Sequence, residues 1–441
     1  MNRYFPLRSN FERIALFLIL LLASGMGLAT NAGQNASGSA TGGAVPFVRL
    51  LLFLYFFLWA VTRAKRSFTL VLRECWIGFL GLWIFASILW SVEAGQTARY
   101  SLAFTGTVLV GFYLGVRFEP REQVKLVASC LGITAILSVI LALTSPSLAI
   151  SPEGEWRGVF LHKNPLGYTM SLGALCFLFL AFGQRRKRWV FVCMMMICLT
   201  LIVLSRSAGA IATTVFMFAI IQPTRKILTL SHRKFILVVT TGSFVIIAST
   251  AWVFQHPGPF LDMLGKDATL TGRVQLWHYV KQEVMSRPAL GFGYSAFWST
   301  GEADRIRAAV GWDPPNSHNG FLDATLGLGF IGLLILLAGL ARNLLFGIRL
   351  ARYEDDLFQS WPLFFMIFAV LGNITDTWIT GSNACCKPPF QLGASSLLLI
   401  LYVANSYWLV RVSRETESHR SSQFCLNEDS STILGLEPTQ S

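Results

Sequence analysis

Val124 to Leu143 reads VKLVASCLGITAILSVILAL, with Lys125 its one charged residue. The hydrocarbon core of a bilayer is about 30 Å thick and a helix rises 1.5 Å per residue, so roughly 20 such residues make one crossing. Working outward from it, comparable stretches occupy residues 14–29, 44–61, 70–90, 101–116, 165–182, 189–204, 208–221, 235–254, 320–341, 357–374 and 391–410. Each must be helical, because an open strand edge in lipid leaves backbone groups unpaired. The fold class expected is all-α: a polytopic membrane helical bundle of about twelve transmembrane helices. Composition agrees, with 54% apolar and only 13% charged residues, against about 25% charged in soluble domains.

The basic residues test the count. Cytoplasmic segments should hold the Lys/Arg excess. With the N-terminus inside and loops allotted alternately, 24 of the 36 lysines and arginines fall inside. A miscounted span would reverse that bias from its position onward. The net charge of +13 is therefore a topology signal, and no soluble basic face suggests a nucleic-acid partner. The expected organisation is helices 1–9 over 1–254, a large outer loop over 255–319, helices 10–12 over 320–411, and a disordered cytoplasmic tail over 412–441. Both termini are expected to be cytoplasmic. Cys130, Cys176, Cys193 and Cys198 sit in or beside spans as small hydrophobes. Cys385 and Cys386 are adjacent and outside. No Cys/His spacing suits zinc, so no metal and no cofactor is expected.

A loop as long as Gln255–Asn319 in a compact membrane protein is usually functional. From Arg273 to Ser286 the apolar positions Val274, Trp277, Val280 and Val284 recur at helical spacing. They predict an amphipathic helix on the membrane surface or across the top of the bundle. Arg273 falls in its first turn, where free N–H groups and the positive dipole end favour an anion. Its fork matches phosphate oxygens; the plain alternative is a solvated surface arginine. Gly291-Phe292-Gly293-Tyr294 reads as a turn or a close backbone approach.

Asn316-Ser317-His318-Asn319 immediately precedes the tenth span, which Ser317 or Asn319 can cap. A neutral His318 at that mouth suits a general base; the alternative is an interfacial histidine that only caps or faces water. Asp323, about one turn on, either orients a partner or reaches the interface. Gly327, Gly329 and Gly332 read as close helix packing. Glu155-Trp156-Arg157-Gly158 and His162-Lys163-Asn164-Pro165 form another outer cluster, and Arg206 lies between the seventh and eighth spans. Arg157, Lys163, Arg206 and Arg273 thus stand outside, against the orientation bias. Binding a diphosphate is the simplest reason, and lipid-headgroup contact the alternative. Trp156, Trp252, Trp277, Trp298 and Trp312 are candidate rings for stacking on sugars, although membrane-interface belts use Trp too.

Three motif groups carry a resemblance. They are Trp156-Arg157-Gly158 with His162-Lys163-Asn164-Pro165-Leu166-Gly167; Leu270-Thr271-Gly272-Arg273 with Leu276-Trp277, Arg287-Pro288 and Leu290-Gly291-Phe292-Gly293-Tyr294; and Ser317-His318-Asn319-Gly320-Phe321-Leu322 with Gly327, Gly329 and Gly332. In this order, over roughly 150–340, they resemble the O-antigen ligase and Wzy-type polymerase superfamily, most of all exopolysaccharide production proteins of the ExoQ type. The resemblance implies a GT-C-like helical bundle with one large periplasmic loop in a bacterial inner membrane. It implies an undecaprenyl-diphosphate-linked oligosaccharide as donor, with no metal or nucleotide sugar. A second lipid-linked repeat is the acceptor in the polymerase branch, and lipid A core or a protein in the ligase branch. A chain-length regulator and export proteins are the partners implied besides the bilayer. The histidine of the Ser-His-Asn segment activates the acceptor hydroxyl, which maps to His318, and arginines hold the diphosphate, which maps to Arg273, with Arg157 and Arg206 beside it. Lys163, Asn319 and Trp277 complete the expected substrate site. The sequence departs from the pattern at Thr375-Asp376-Thr377 and Gly381 to Pro389, where Asp376 is the candidate for the family's acidic member. A transporter of the same lipid is the competing class. It should place ionisable groups at mid-membrane and show internal repeats, whereas the polar residues here cluster in outer loops.

Overall fold

A computed structural model of the chain describes residues 10–26, 44–62, 75–238, 241, 272–354, 356–377 and 395–413. Among them no strand occurs beyond one isolated bridge between Ile150 and Trp156. The helices are α1 (Asn10–Leu21), α2 (Ala44–Val61), α3 (Cys75–Ala86), α4 (Ala94–Arg117), α5 (Pro120–Thr144), α6 (Lys163–Gly183), α7 (Arg188–Ser205) and α8 (Ala208–Leu228). After the undescribed stretch come α9 (Arg273–Ser286), α10 (Gly301–Val310), α11 (Gly320–Tyr353) and α12 (Trp361–Thr375), then α13 (Ser395–Ser413).

Helix therefore overlaps every expected crossing, though 235–254 only near its start, since most of it lies outside the described residues. Among the described residues six helices are long and apolar enough to cross a membrane: Pro120–Thr144, Lys163–Gly183, Arg185–Ser205, Gly320–Tyr353, Leu357–Thr375 and Ser395–Ser413. The chain is a multi-pass helical membrane protein. Trp252, Cys385, Cys386 and the tail beyond 413 also fall outside the described residues.

The apolar faces meet in one large core. In it α12 buries Trp361, Phe364, Phe365 and Phe368, and Phe179 of α6 meets Trp361 edge-on with ring centroids 5.3 Å apart. By contrast α7 turns Trp189, Val190, Met196 and Val203 outward, as a lipid-facing helix should. A buried ion pair, Arg117 to Glu12 at 3.2 Å, ties α1 to the end of α4. Its partners hold each other against the cost of desolvation.

The segment from 272 onward differs from its sequence reading in three ways. First, α9 spans the expected residues but buries Leu276, Val280 and Val284, while Val274 is 46% exposed. Its apolar face packs on Phe292, Phe297, Ile306 and Leu326, so it lies on protein. Second, α10 went unforeseen, although Glu302 and Asp304 occupy its first turn and Gly311 closes it at φ 75°, the usual acidic start and glycine stop. Third, α11 is broken: Gly329 has φ 69° and ψ −177°.

The break explains the glycines. The amides of Phe292 and Gly293 donate to the carbonyls of Leu326 and Gly327 at 2.9 Å, and Phe330 donates back to Pro288 at 2.7 Å. Trp83 Nε1 donates to the Leu328 carbonyl at 2.9 Å. Each carbonyl freed by the break is thus answered by protein, where an unpaired one in lipid would cost several kcal/mol. A Cβ at Gly329 would collide with the Ala289 carbonyl, and one at Gly291 would come within 2.7 Å of the Gly327 backbone. The close approach expected at Gly291–Tyr294 is present. The helix packing expected at Gly327 and Gly329 is instead the turning backbone of 288–293 laid against a broken helix. Gly332 alone faces side chains, those of Trp83 and Leu328.

Candidate active site

The Asn316–Asn319 segment consumes most of its polar groups in shaping itself. Asn316 Oδ1 accepts from the His318 amide at 2.9 Å. Ser317 Oγ donates to the Asn319 carbonyl at 2.8 Å. Asn319 Oδ1 accepts from the amides of Phe321 and Leu322 at 3.0 and 3.1 Å, which makes it the N-cap of α11. That contact stabilises the helix start by about 1 kcal/mol, and it spends the oxygen assigned in the sequence to substrate. His318 is left at φ 51°, a left-handed conformation that costs a β-carbon-bearing residue about 1–2 kcal/mol. Such a conformation persists only where its surroundings over-determine it, as these hydrogen bonds do.

The His318 ring is stacked on Trp312, with centroids 5.7 Å apart and planes 28° off parallel. Its Nδ1 lies 3.4 Å from Asp376 Oδ1, an ionic contact whose geometry falls short of a hydrogen bond. Both side chains are about seven-eighths buried, at 12% and 13% exposure. This arrangement turns the opposite nitrogen, Nε2, away from the carboxylate. One residue earlier, the Thr375 carbonyl accepts from Arg273 Nη1 at 2.7 Å, and the Thr375 hydroxyl bonds the hydroxyl of Tyr168 on α6. Arg273 and His318 therefore converge on consecutive residues at the C-terminal end of α12. The Gly320 amide also donates to the Asp376 carbonyl at 3.2 Å, and Asn373 fills the space over Gly320 where a Cβ would stand. Trp277 Nε1 donates to the Ser317 carbonyl at 2.8 Å. Trp277 thereby braces the histidine turn from α9.

The remaining expected cations gather in a second group along 147–163 and the corner between α7 and α8. Arg157 gives Nε to the Leu148 carbonyl and Nη2 to that of Ser147, both at 3.0 Å. Lys163 pairs with Glu155 at 2.5 Å. Arg206, left-handed at φ 52° as the C-cap of α7, reaches the Glu153 carbonyl at 3.2 Å. Trp156 is fixed here by its amide, which donates to Leu204 at 3.0 Å.

His162 joins the two groups. Its Nδ1 accepts from the Asn164 amide at 3.3 Å and caps α6. The residue is open at its surface. Protein packed around the ring, then the charges of Lys163 and His318, nevertheless hold its pKa below the ordinary value, with Asp376 and Glu155 opposing.

Sequence reasoning named Asp376 only as a stand-in and gave His162 no role. His162 does have a local signal, its place in the His162–Pro165 motif and its cap on α6, whereas Asp376 meets His318 only through the fold. Among the described residues no group of His, Cys, Asp or Glu could hold a metal ion.

Comparison with known proteins bears on this geometry. Residues 158–337 match the O-antigen ligase family. That ligase-family stretch holds Lys163, Arg206, Arg273, Trp277, His318 and Asn319. Arg157 and Asp376 lie outside it. The chain is also 26% identical over 305 residues to "Exopolysaccharide production protein ExoQ" of Rhizobium meliloti (strain 1021), covering 64% of this chain and 69% of the relative. A second relative, "Putative polysaccharide ligase RP358" of Rickettsia prowazekii (strain Madrid E), is 27% identical over 113 residues, covering 24% of this chain and 28% of that one. The likeness read from the motifs is thus shown independently.

Proposed function

We propose that the chain is a membrane glycosyltransferase that polymerises undecaprenyl-diphosphate-linked oligosaccharide repeats into exopolysaccharide at the periplasmic face of a bacterial inner membrane. The observation that carries this reading is the meeting of His318 and Arg273 at Asp376 and Thr375. A base and a phosphate-binding fork then face one reacting bond. His318 Nε2 takes the proton of the acceptor hydroxyl as that oxygen attacks the anomeric carbon. The bond from that carbon to the donor phosphate breaks, and the lipid diphosphate leaves with the electron pair. Arg273, with one N–H spent on Thr375, offers the rest of its fork to the charge growing there. Asp376 keeps the His318 ring aligned and balances the imidazolium that forms. One displacement inverts the anomeric centre, and the scheme draws on no metal. Arg157, Lys163 and Arg206 line the approach; their carbonyl and carboxylate partners fit long-range attraction of the diphosphate better than direct clamping.

The about twelve crossings, cytoplasmic termini and a periplasmic 255–319 loop belong to this proposal, as do a chain-length regulator and export proteins as partners. A ligase acting on lipid A core or a protein is the second reading, favoured by the family that 158–337 matches and by the name of the Rickettsia relative. A transporter is disfavoured, since the broken helix α11 has its freed carbonyls filled by backbone amides and a tryptophan rather than left for an ion.

The experiment is deletion of the gene followed by complementation. His318→Ala should restore no polymer while inserting at wild-type level, and normal polymer from that variant would refute the assignment. The glycan mass profile of the deletion strain separates the two readings: single lipid-linked repeats accumulate if polymerisation is lost, whereas finished polymer stays on lipid if ligation is lost.

A further inference from the structure

Asp323 stands one turn into α11, and the reaction scheme above does not use it. Its carboxylate receives donors from three directions. Trp298 Nε1 donates to Oδ1 at 3.0 Å. The Ser317 amide donates to Oδ1 at 3.1 Å and to Oδ2 at 3.2 Å. The Thr377 hydroxyl donates to Oδ2. Trp298 is held in turn, because its carbonyl accepts from Arg307 Nη2 at 2.7 Å, and Arg307 is anchored by Asp304 and Asp313, each at 2.7 Å.

Ser317 directly precedes His318, and Thr377 directly follows Asp376. One carboxylate therefore ties the chain on the far side of each member of the His318–Asp376 pair. These two partners come from different elements, the entry to α11 and the exit from α12. The other ties between the two segments are the Gly320 amide to the Asp376 carbonyl and α9, which reaches Ser317 through Trp277 and Thr375 through Arg273. Among the described residues, Asp323 alone joins the neighbours of both residues through one side chain.

We propose that Asp323 is a positioning residue for the same reaction, setting the spacing of His318 and Asp376 by gripping Ser317 and Thr377. The inference rests on the reading of His318 as the base. A carboxylate accepts from all three donors at once, which the alternatives do not: alanine accepts none, and asparagine keeps one oxygen acceptor while its amide can donate to the Thr377 oxygen. Misplacement by about 1 Å costs on the order of 100-fold in rate, so the effect belongs to turnover rather than to substrate binding.

The test uses the full-length protein in membranes of the deletion strain, titrated with the lipid-linked repeat units that accumulate there. Asp323→Ala should lower kcat on the order of 100-fold with KM within about threefold. Asp323→Asn should recover most of that loss. Thr377→Val, which removes a single donor and is the milder change, should lower kcat about tenfold at unchanged KM, and it decides the matter should Asp323→Ala fail to accumulate. Placed on His318→Ala, Asp323→Ala should subtract nothing further from the residual rate, since a base that is absent cannot be misplaced. Three results overturn the inference while His318→Ala keeps only a small residual rate: wild-type kcat in Asp323→Ala or Thr377→Val, a matching rise of KM, or a full additive loss on the His318→Ala background. Wild-type turnover in His318→Ala itself sinks the reading of the base, and this outcome is distinct from the other three.

Discussion

Two groups of cations face the same side of this protein and are built in opposite ways. Arg157, Lys163 and Arg206 end on the protein's own oxygens: the carbonyls of Ser147, Leu148 and Glu153 and the carboxylate of Glu155. Arg273 meets a single carbonyl, at the point where a partly buried imidazole meets a carboxylate. The first group commits its N–H donors to shaping a loop. The second lies beside the histidine proposed as the base. The lesson is that a cation becomes a candidate for chemistry through what its neighbours leave available, and not through its charge or its motif.

The comparison is broken most sharply at Asp376. Asp376→Asn keeps the size of the side chain and removes its charge, so the ring of His318 loses the partner that balances its positive form. Polymer formation in membranes is expected to fall on the order of 100-fold, with the protein still inserted. A rate within twofold of wild type would detach Asp376 from the site.

At the other group the expected effect is smaller and of another kind. Arg157→Ala removes two hydrogen bonds to carbonyls, worth about 1 kcal/mol each. The melting temperature in detergent should drop by a few degrees, with turnover reduced less than about tenfold by the same reasoning. A loss as large as that of Asp376→Asn would move Arg157 from the loop into the reaction.

The smallest effect concerns His162, which joins the groups. Its pKa is lowered in the folded protein from the ordinary histidine value of about 6.5, so the unfolded chain takes up the proton first. Stability attached to its neutral form is present above about pH 6.5 and is lost as pH falls through the lower, folded value. Thermal unfolding followed from pH 7.5 to 5 should show a shallower decline for His162→Gln than for wild type. Parallel curves would remove the group from the balance.

Much of this was legible in the sequence, for reasons tied to particular residues. The crossings follow from apolar runs such as Val124–Leu143, because burial in lipid imposes length and composition on a single continuous segment. Gly272 starting a helix, with Pro288 beyond its end, marked α9 closely, as Asn319 marked the start of α11. What stayed hidden needed partners distant in the chain. The expected face of α9 holds at Val280, Val284 and Trp277, but Leu276 and not Val274 completes it, since periodicity alone does not fix the edge of the stripe. The break at Gly329 looked like helix packing because three nearby glycines fit either reading until the 288–293 backbone is laid against them. Asp376 stood in a stretch that departed from the family pattern, and its contact with His318 leaves no trace in local sequence. Lys163 and Arg157 stood behind Arg273 as further diphosphate candidates because sequence shows a cation but not the carboxylate or carbonyl that occupies it.

The central claim is that Arg273 holds the donor while His318 acts on the acceptor within one site. The most direct measurement is the mass-spectrometric amount of lipid-linked glycan that copurifies with His318→Ala and with the double variant His318→Ala/Arg273→Ala from cells making the repeat unit. The account predicts that the single variant, unable to turn over, retains the donor, and that adding Arg273→Ala lowers the bound amount at least about tenfold, as expected for losing a charge-assisted fork to phosphate. Equal glycan on both proteins would contradict it.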